Sequence, residues 1–136
     1  MRRRVFLGSV ATISVAGCID FVGSDNLEDG DIGMSSDSFR PEEFHTTVGE
    51  TVTWVNTSSK AHTVTAFDQH IPDEAEYFAS GDFESQSAAE DAWFDNFGGR
   101  MDRGDTFEHT FEVPGEYEYY CIPHIAAHMV GRIIVE

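Results

Sequence analysis

Basic residues are scarce in this sequence. Its 136 residues include eight Lys and Arg against 25 Asp and Glu, for a formal net charge of −17. Binding to nucleic acid needs a basic surface that neutralises phosphates, so a nucleic-acid partner is excluded. Because the acidic excess runs along the whole chain, we interpret it as adaptation to concentrated salt, which screens self-repulsion. An ordinary soluble acidic protein is the plainer alternative.

Long hydrophobic runs are also missing. The uncharged apolar stretch at 5–17 is too short to span a bilayer. It follows Arg2–Arg4, and the order of a basic start, an apolar middle and small residues predicts a signal peptide over residues 1–17. The segment Arg3–Leu7 resembles the twin-arginine export signal. Removal of the signal peptide would take away three basic residues and no acidic one, which changes the net charge from −17 to −20.

Cysteine is rare, with two in the chain, and the two lie in unlike surroundings. We therefore do not predict a disulfide between them. Val15–Cys18 resembles the lipobox of prokaryotic lipoproteins, in which the Cys18 thiol would take the lipid. The alternative is a buried cysteine in an N-terminal helix. Residues 18–31 are predicted to form a flexible acidic tether, which would hold a folded domain at the outer face of the cell membrane.

Short strands dominate the remainder, residues 32–136. Thr51–Asn56 alternates Thr with large apolar residues, and Thr106–Val113 places apolar side chains on one face and polar ones on the other. Many short strands separated by turns predict an all-β domain, an antiparallel β-sandwich. Four further strands are expected at 43–48, 62–67, 116–121 and 130–135.

One long segment, 68–104, interrupts this pattern. It is rich in Asp, Glu, Ala, Ser and Gly. We predict a short helix over 87–93 with Ser87 near its N-cap. Trp93, Phe94 and Phe97 are expected to anchor this insertion on the sandwich as apolar contacts.

The segment from Cys121 to Met129 contains several side chains that could bind a metal ion. It offers a thiolate, an imidazole at His124 and a thioether at Met129. A sandwich can bring His62, at the start of a separate strand, next to this loop. Two His and one Cys with a weak axial Met are the donors of a mononuclear blue-copper site. Zinc is the alternative metal, although a thioether is a poor zinc ligand. Taken singly, each residue would indicate only packing or a surface position.

Several segments together resemble the plastocyanin-like cupredoxins. The C-terminal signature of that family corresponds to Cys121–His124 followed by Met129–Gly131. The acidity, the twin-arginine start and the lipobox make the chain most similar to the halocyanins, the membrane-attached blue-copper proteins of salt-loving archaea. Upstream landmarks of the family are matched by Phe39–Pro41, Val48–Trp54, Asn56 and His62–Val64.

The resemblance implies a Greek-key cupredoxin fold and one type 1 copper ion. His62, Cys121 and His124 would bind it in plane, with Met129 axial. It also implies a one-electron carrier for redox proteins of a membrane respiratory chain, with His124 as electron port. Tyr120, expected to face outward, would offer a second route; a plain strand tyrosine is the alternative.

The sequence departs from the family pattern at two positions. His128 stands where the family usually has Gly before the axial Met, and His tolerates positive φ better than most residues. Thr63 replaces an Asn that often follows the first His. We expect this to remove one side-chain hydrogen bond near the sulfur, which would tune the potential and leave binding intact.

Two other function classes are alternatives to the carrier. A copper storage or sensing module would bind Cu(I) without reversible redox turnover. An enzyme would need an open coordination position or a second metal site, and the sequence indicates neither. We therefore predict a monomeric carrier that is not an enzyme and has no small-molecule substrate.

Overall fold

The computed structural model describes residues 30–136. The predicted signal peptide, the predicted lipid-attachment residue Cys18 and most of the predicted tether lie outside these residues. None of the helices between residues 30 and 136 has both the length and the apolar character that a membrane crossing needs.

Between residues 30 and 136, eight strands form two four-stranded sheets that pack face to face around a shared core. The predicted β-sandwich is confirmed. The first sheet has the order β2 (Phe39–Arg40), β1 (Ile32–Met34), β4 (Thr51–Asn56), β6 (Thr106–Thr110). The second has the order β3 (Glu43–Thr46), β8 (Val130–Val135), β7 (Gly115–Tyr120), β5 (Thr65–Ala66).

The sheets are mixed, whereas the sequence predicted wholly antiparallel pairing. Four strand pairs are antiparallel, but β1 runs parallel to β4 and β3 runs parallel to β8. Both parallel pairs involve an N-terminal strand, because the chain passes from β1 and β2 in one sheet to β3 in the other and then returns to β4 in the first. Local alternation of residues carries no information on that crossing.

Trp54 lies at the centre of the core. It is fully buried on β4, where Val52 also points inward while Thr51 is exposed. Its ring lies 5.4 Å from that of Tyr119 and 5.9 Å from that of Phe78. Phe78 belongs to the insertion, so this aromatic cluster joins the insertion to both sheets and stabilises them by burial of large apolar surfaces.

The strand expected over 62–67 is shorter than predicted. Only Thr65–Ala66 pairs with β7, while His62 forms an isolated bridge with Met101. The backbone N–H of His62 donates to Met101 at 3.1 Å, and the N–H of Met101 donates back at 2.8 Å. The His62 segment therefore takes its backbone partner from the insertion, which local sequence patterns cannot indicate.

The insertion contains one α-helix, α1, over Gln86–Asn96. The predicted helix is confirmed in position but is longer at both ends. Its N-cap is Ser85, not Ser87, because Ser85 has an extended backbone and its Oγ accepts a hydrogen bond from the Ala88 N–H at 3.0 Å. The helix ends at Phe97, whose φ of 59° is left-handed.

Only one of the three aromatic anchors predicted for the insertion is buried. Trp93 is 8% exposed and packs with Ala89, Tyr120 and Ile122. Phe94 and Phe97 are 77% and 56% exposed, so the prediction was wrong for both. Ala89 and Trp93 are four residues apart and share the inward face of α1, whereas Phe94 lies about 100° further round the helix.

Candidate metal centre

The ligand loop joins β7 to β8. Cys121 follows the last residue of β7, the segment Ile122–Ala127 turns in 3-10 geometry, and β8 begins at Val130. The N–H of Cys121 donates to the carbonyl of Met129 at 3.1 Å, and the N–H of Met129 donates to that of His124 at 3.3 Å. These bonds close the loop and hold its residues in a defined arrangement.

Three predicted ligands meet at one point. The Sγ of Cys121 lies 3.4 Å from Nδ1 of His124 and 3.5 Å from Nδ1 of His62. The three donor atoms all lie within 4.8 Å of one another. A nitrogen and a sulfur bound to one ion at about 2.0 and 2.3 Å, as in zinc sites, lie about 3.5 Å apart at a tetrahedral angle. The spacing therefore fits a single metal ion.

Burial keeps the three groups neutral before a metal binds. It raises the pKa of the Cys121 thiol to about 11, although the backbone N–H of Thr63 acts in the opposite direction. Burial and the neighbouring His124 lower the pKa of His62 to about 4, and burial also lowers the pKa of His124. The imidazoles are thus free to bind a metal at neutral pH, while the thiol must release a proton.

Met129 is fully buried and belongs to the same core cluster as Cys121. His128, directly before it, has φ 61° and ψ 39°, a left-handed conformation usual for glycine. The backbone of the loop therefore has a glycine-like form although the residue is His. The side chain of His128 is exposed, so Met129 and not His128 enters the interior of the loop.

Thr63 makes a contact that the sequence did not predict. Its backbone N–H donates to the Cys121 sulfur at 3.4 Å. Its Oγ1 accepts the N–H of Ile122 at 2.9 Å, so the hydroxyl links the His62 segment to the ligand loop. The sequence predicted that Thr63, in place of Asn, removes a side-chain hydrogen bond near the sulfur. In the structure the Thr63 side chain does form a hydrogen bond there, with the N–H of Ile122.

Tyr120 is covered, whereas the sequence predicted an outward-facing side chain. It is 3% exposed, and its ring stacks on that of Phe67 at 4.4 Å. Its hydroxyl donates to the Glu90 carboxylate and accepts from the Gln86 amide at 3.3 Å. Both partners belong to α1, so the insertion buries this side of the ligand loop. A part for Tyr120 in electron transfer remains a prediction.

The other side of the loop is open. His124 is partly exposed, and Ile125 is 41% exposed. Pro123, Ala126 and Ala127 are also exposed around it. These apolar residues form the surface nearest to a ligand of the centre.

The remaining histidines of the domain have other partners. His45 bonds to Glu43 at 2.8 Å and His70 to Glu118 at 2.7 Å, both at the surface. His109 stacks on Phe78 at a centroid distance of 4.9 Å. Within the part of the chain that the structure describes, only His62, Cys121 and His124 form a group of three that could bind a metal.

A two-sheet sandwich with a His₂Cys group, two of whose members are buried, defines this chain as a cupredoxin. The family model for copper binding proteins of the plastocyanin/azurin family matches residues 28–136. The chain belongs to that family, which confirms the predicted resemblance to the plastocyanin-like cupredoxins and the prediction of copper as cofactor. The closer similarity to the halocyanins remains a prediction.

Known relatives agree with this assignment. Plastocyanin of Solanum tuberosum is 32% identical over 111 residues, which cover 82% of this chain and 98% of the relative. A purple cupredoxin from Nitrosopumilus maritimus is similar in structure, with a TM-score of 0.53, 27% identity and coverage of 79% of this chain and all of the other. A copper-containing nitrite reductase from Thermus scotoductus gives a TM-score of 0.56 at 25% identity. That match covers 77% of this chain but 21% of the reductase.

Proposed function

We propose that this protein is a one-electron carrier with a single type 1 copper ion that alternates between Cu(II) and Cu(I). The observation that carries the proposal is the convergence of the Cys121 sulfur and two imidazole Nδ1 atoms, 3.4 and 3.5 Å away, inside a sandwich of the plastocyanin/azurin family. His62, Cys121 and His124 bind the ion in plane. Met129 is the axial donor, supported by its full burial beside Cys121 in the core.

The donor set favours copper over zinc. Zinc sites use nitrogen, thiolate and carboxylate donors, whereas the fourth donor proposed here is the thioether of Met129, a poor zinc ligand. A thiolate with two imidazoles and a weak thioether is the set that selects copper for electron transfer. Copper, when bound, supplies the one-electron couple, and the chain determines how little its surroundings rearrange.

The protein contributes a rigid, dry site with one exposed edge. Cys121 and His62 are fully buried, which excludes water from two of the donors. Backbone hydrogen bonds fix the loop on both sides of His124. We assign His124 as the electron port, because it is the partly exposed ligand and apolar residues surround it. Tyr120 is a secondary route, since α1 covers it.

The carrier acts at the outer face of the cell membrane, anchored by a lipid on Cys18 after removal of residues 1–17. The basic start, the apolar stretch and the lipobox-like Val15–Cys18 support this location. The strong acidity supports a salt-adapted, halocyanin-like protein. The Debye length is about 3 Å at 1 M salt, so a monomer would meet redox proteins of a respiratory chain through apolar contact around His124.

Repeated redox cycling distinguishes this function from copper storage. Copper-loaded protein should be intensely blue when oxidised, and stepwise reduction and reoxidation in an optically transparent electrode cell should bleach and restore the colour over many cycles. The bound copper, measured by atomic absorption, should stay constant. Release of copper on reduction, or a colourless Cu(II) form, would favour a storage or sensing module.

The axial assignment has its own test. Met129→Leu should raise the reduction potential and Met129→Gln should lower it, because the axial donor stabilises Cu(II). The potentials can be measured by voltammetry of the loaded variants. Equal potentials in both variants and the wild type would exclude Met129 as the axial donor.

A further inference from the structure

The ring of His62 has a second polar contact, on the side away from the metal centre. Its Nδ1 faces the Cys121 sulfur, while its Nε2 lies 3.0 Å from the hydroxyl oxygen of Ser58. The family landmarks matched in the sequence do not include Ser58. The residue lies in the short segment between β4 and the His62 bridge.

Asn56 determines the direction of this hydrogen bond. It is fully buried at the end of β4, and its Nδ2 donates to the carbonyls of Lys60 at 2.7 Å and Met101 at 2.9 Å. These two acceptors fix the orientation of the amide. Its Oδ1 therefore faces Ser58, where it accepts the backbone N–H and the hydroxyl, each at 2.9 Å.

A hydroxyl has one proton, and the acceptors around Ser58 take it. The nearest acceptor is Asn56 Oδ1 at 2.9 Å, and the Lys60 carbonyl lies at 3.3 Å. Both oxygens can only accept a hydrogen bond, so the Ser58 hydroxyl is the donor in each contact. The lone pairs of the hydroxyl oxygen remain for donors, one of which is the Lys60 N–H at 3.1 Å. The other partner is Nε2 of His62, which can donate to the Ser58 oxygen only when it carries the ring proton.

We infer that Ser58 is a positioning residue for the metal centre. Its hydroxyl oxygen accepts the Nε2 proton of His62, which keeps the Nδ1 lone pair of that ring turned toward the Cys121 sulfur. The neutral imidazole has one ring proton, so protonation of Nε2 leaves Nδ1 free to bind a metal. The opposite tautomer would aim an N–H at the sulfur and block the ligand position.

The consequence for copper rests on the proposed function. A hydrogen bond from the far nitrogen of a metal-bound imidazole fixes the ring and raises its basicity, and loss of such a partner typically lowers metal affinity by about 10-fold to 100-fold. The tautomer itself is a property of the metal-free protein. The two claims can therefore fail separately.

Ser35 offers a competing explanation. Its backbone carbonyl raises the pKa of the His62 imidazole, against the larger lowering by burial and His124. If this carbonyl alone held the ring, removal of the Ser58 hydroxyl would change nothing. The Ser58→Ala variant separates the two, because it leaves Ser35 in place.

Nitrogen NMR of the metal-free protein tests the tautomer. Long-range ¹⁵N–¹H spectra near pH 7, where His62 is neutral, should show Nε2 protonated and Nδ1 bare in the wild type. Ser58→Ala should shift both signals toward a mixture of tautomers. Ser59→Ala, an exposed neighbour, is the matched control and should match the wild type, and Ser58→Thr should retain the wild-type pattern.

A wild-type spectrum with the proton on Nδ1 would overturn the inference without any variant, even if Ser58→Ala failed to fold. Wild-type signals in a folded Ser58→Ala protein would also overturn it. On titration with Cu(II), Ser58→Ala should bind about tenfold or more weakly than Ser59→Ala, and equal affinities would contradict the positioning role. Absence of a copper–sulfur absorption band in the wild type would instead overturn the proposed function, with the tautomer result unaffected.

Discussion

The metal centre has two sides, and they are built differently. Downstream of Cys121, the partly exposed His124 and its apolar neighbours open to solvent. Upstream, Tyr120 is 3% exposed beneath α1, its hydroxyl bonded to Glu90. Tyr120, directly before the ligand loop, and His124, within it, thus differ in solvent access because the insertion covers Tyr120.

This difference shows how an insertion can change the surface around a metal centre. The insertion supplies none of the three clustered donors, yet Met101 pairs with the His62 backbone and α1 covers Tyr120. The chemistry stays with the loop and the sandwich, while the insertion decides which side remains open. We therefore expect the two sides to respond differently to mutation.

Substitution of Cys121, which lies between the two sides, should have the largest effect because it removes a metal ligand. Cys121→Ser should abolish the blue colour and tight copper binding, because the hydroxyl is a poor ligand for a site that depends on a soft thiolate. The visible spectrum after copper loading gives the answer. Tyr120→Phe is the control and should stay blue. A blue Cys121→Ser protein would mean that the sulfur ligand lies elsewhere.

On the covered side, Trp93 should matter most. Trp93→Ala would leave a cavity beneath α1 and should lower the free energy of unfolding by about 3 kcal/mol or more. Phe94→Ala, on the exposed face of the same helix, should change it by less than about 0.5 kcal/mol. Denaturant unfolding measures both. Equal losses would show that α1 packs through a different face.

On the open side, charge should slow electron transfer. Ile125→Asp would bring carboxylates face to face when two copies meet over His124, and electron self-exchange should fall roughly tenfold at low salt. Phe94→Asp should leave the rate nearly unchanged. Line broadening in mixtures of oxidised and reduced protein gives the rates. A larger effect of Phe94→Asp would place the electron port on the α1 side.

Loss of the hydrogen bond between Tyr120 and Glu90 of α1 should have a smaller effect. Tyr120→Phe and Glu90→Gln should each lower the free energy of unfolding by about 1 kcal/mol. The first removes the bonds of the hydroxyl to Gln86 and Glu90, and the second weakens the bond between Tyr120 and Glu90. The double variant should lose no more than the larger single loss, because the two residues share that bond. Additive losses in thermal unfolding would show that the residues act independently.

The smallest effect concerns pH and the contact between His109 and Phe78 of the insertion. Burial lowers the pKa of His109, whereas Glu76 and Asp82 raise it to a lesser extent. Below about pH 6.5 the unfolded chain binds a proton that the folded protein excludes, so the free energy of unfolding decreases as pH falls toward the folded pKa. His109→Gln should flatten this decrease in metal-free protein. His62 and His124, whose pKa values burial also lowers, contribute in the same direction, so some slope should remain. An unchanged slope would contradict the assignment.

The open side of the centre could be predicted from the sequence, and the covered side could not. His124 and Met129 follow Cys121 within one loop, so their spacing alone indicates a ligand group. The cover on Tyr120 depends on Glu90 and Gln86, which lie 30 and 34 residues away in sequence. Such contacts arise from how the insertion folds back, and no local period encodes them.

The same limit explains the smaller errors. The strand at Thr51–Asn56 is predicted from the alternation of its first four residues, in which Val52 and Trp54 are buried while Thr51 is exposed and Thr53 partly exposed. Phe94 and Phe97 were expected to be buried because they are aromatic. Helix geometry overrides that preference, since only the face of α1 that carries Ala89 and Trp93 meets the sandwich.

X-ray absorption of the copper-loaded protein tests the central claim most directly. The measurement should use a Cys18→Ser variant, in which Cys121 is the only thiol. We predict one short copper–sulfur contact and two imidazole nitrogens in the first coordination shell. A shell of nitrogen and oxygen donors without that sulfur would contradict the account.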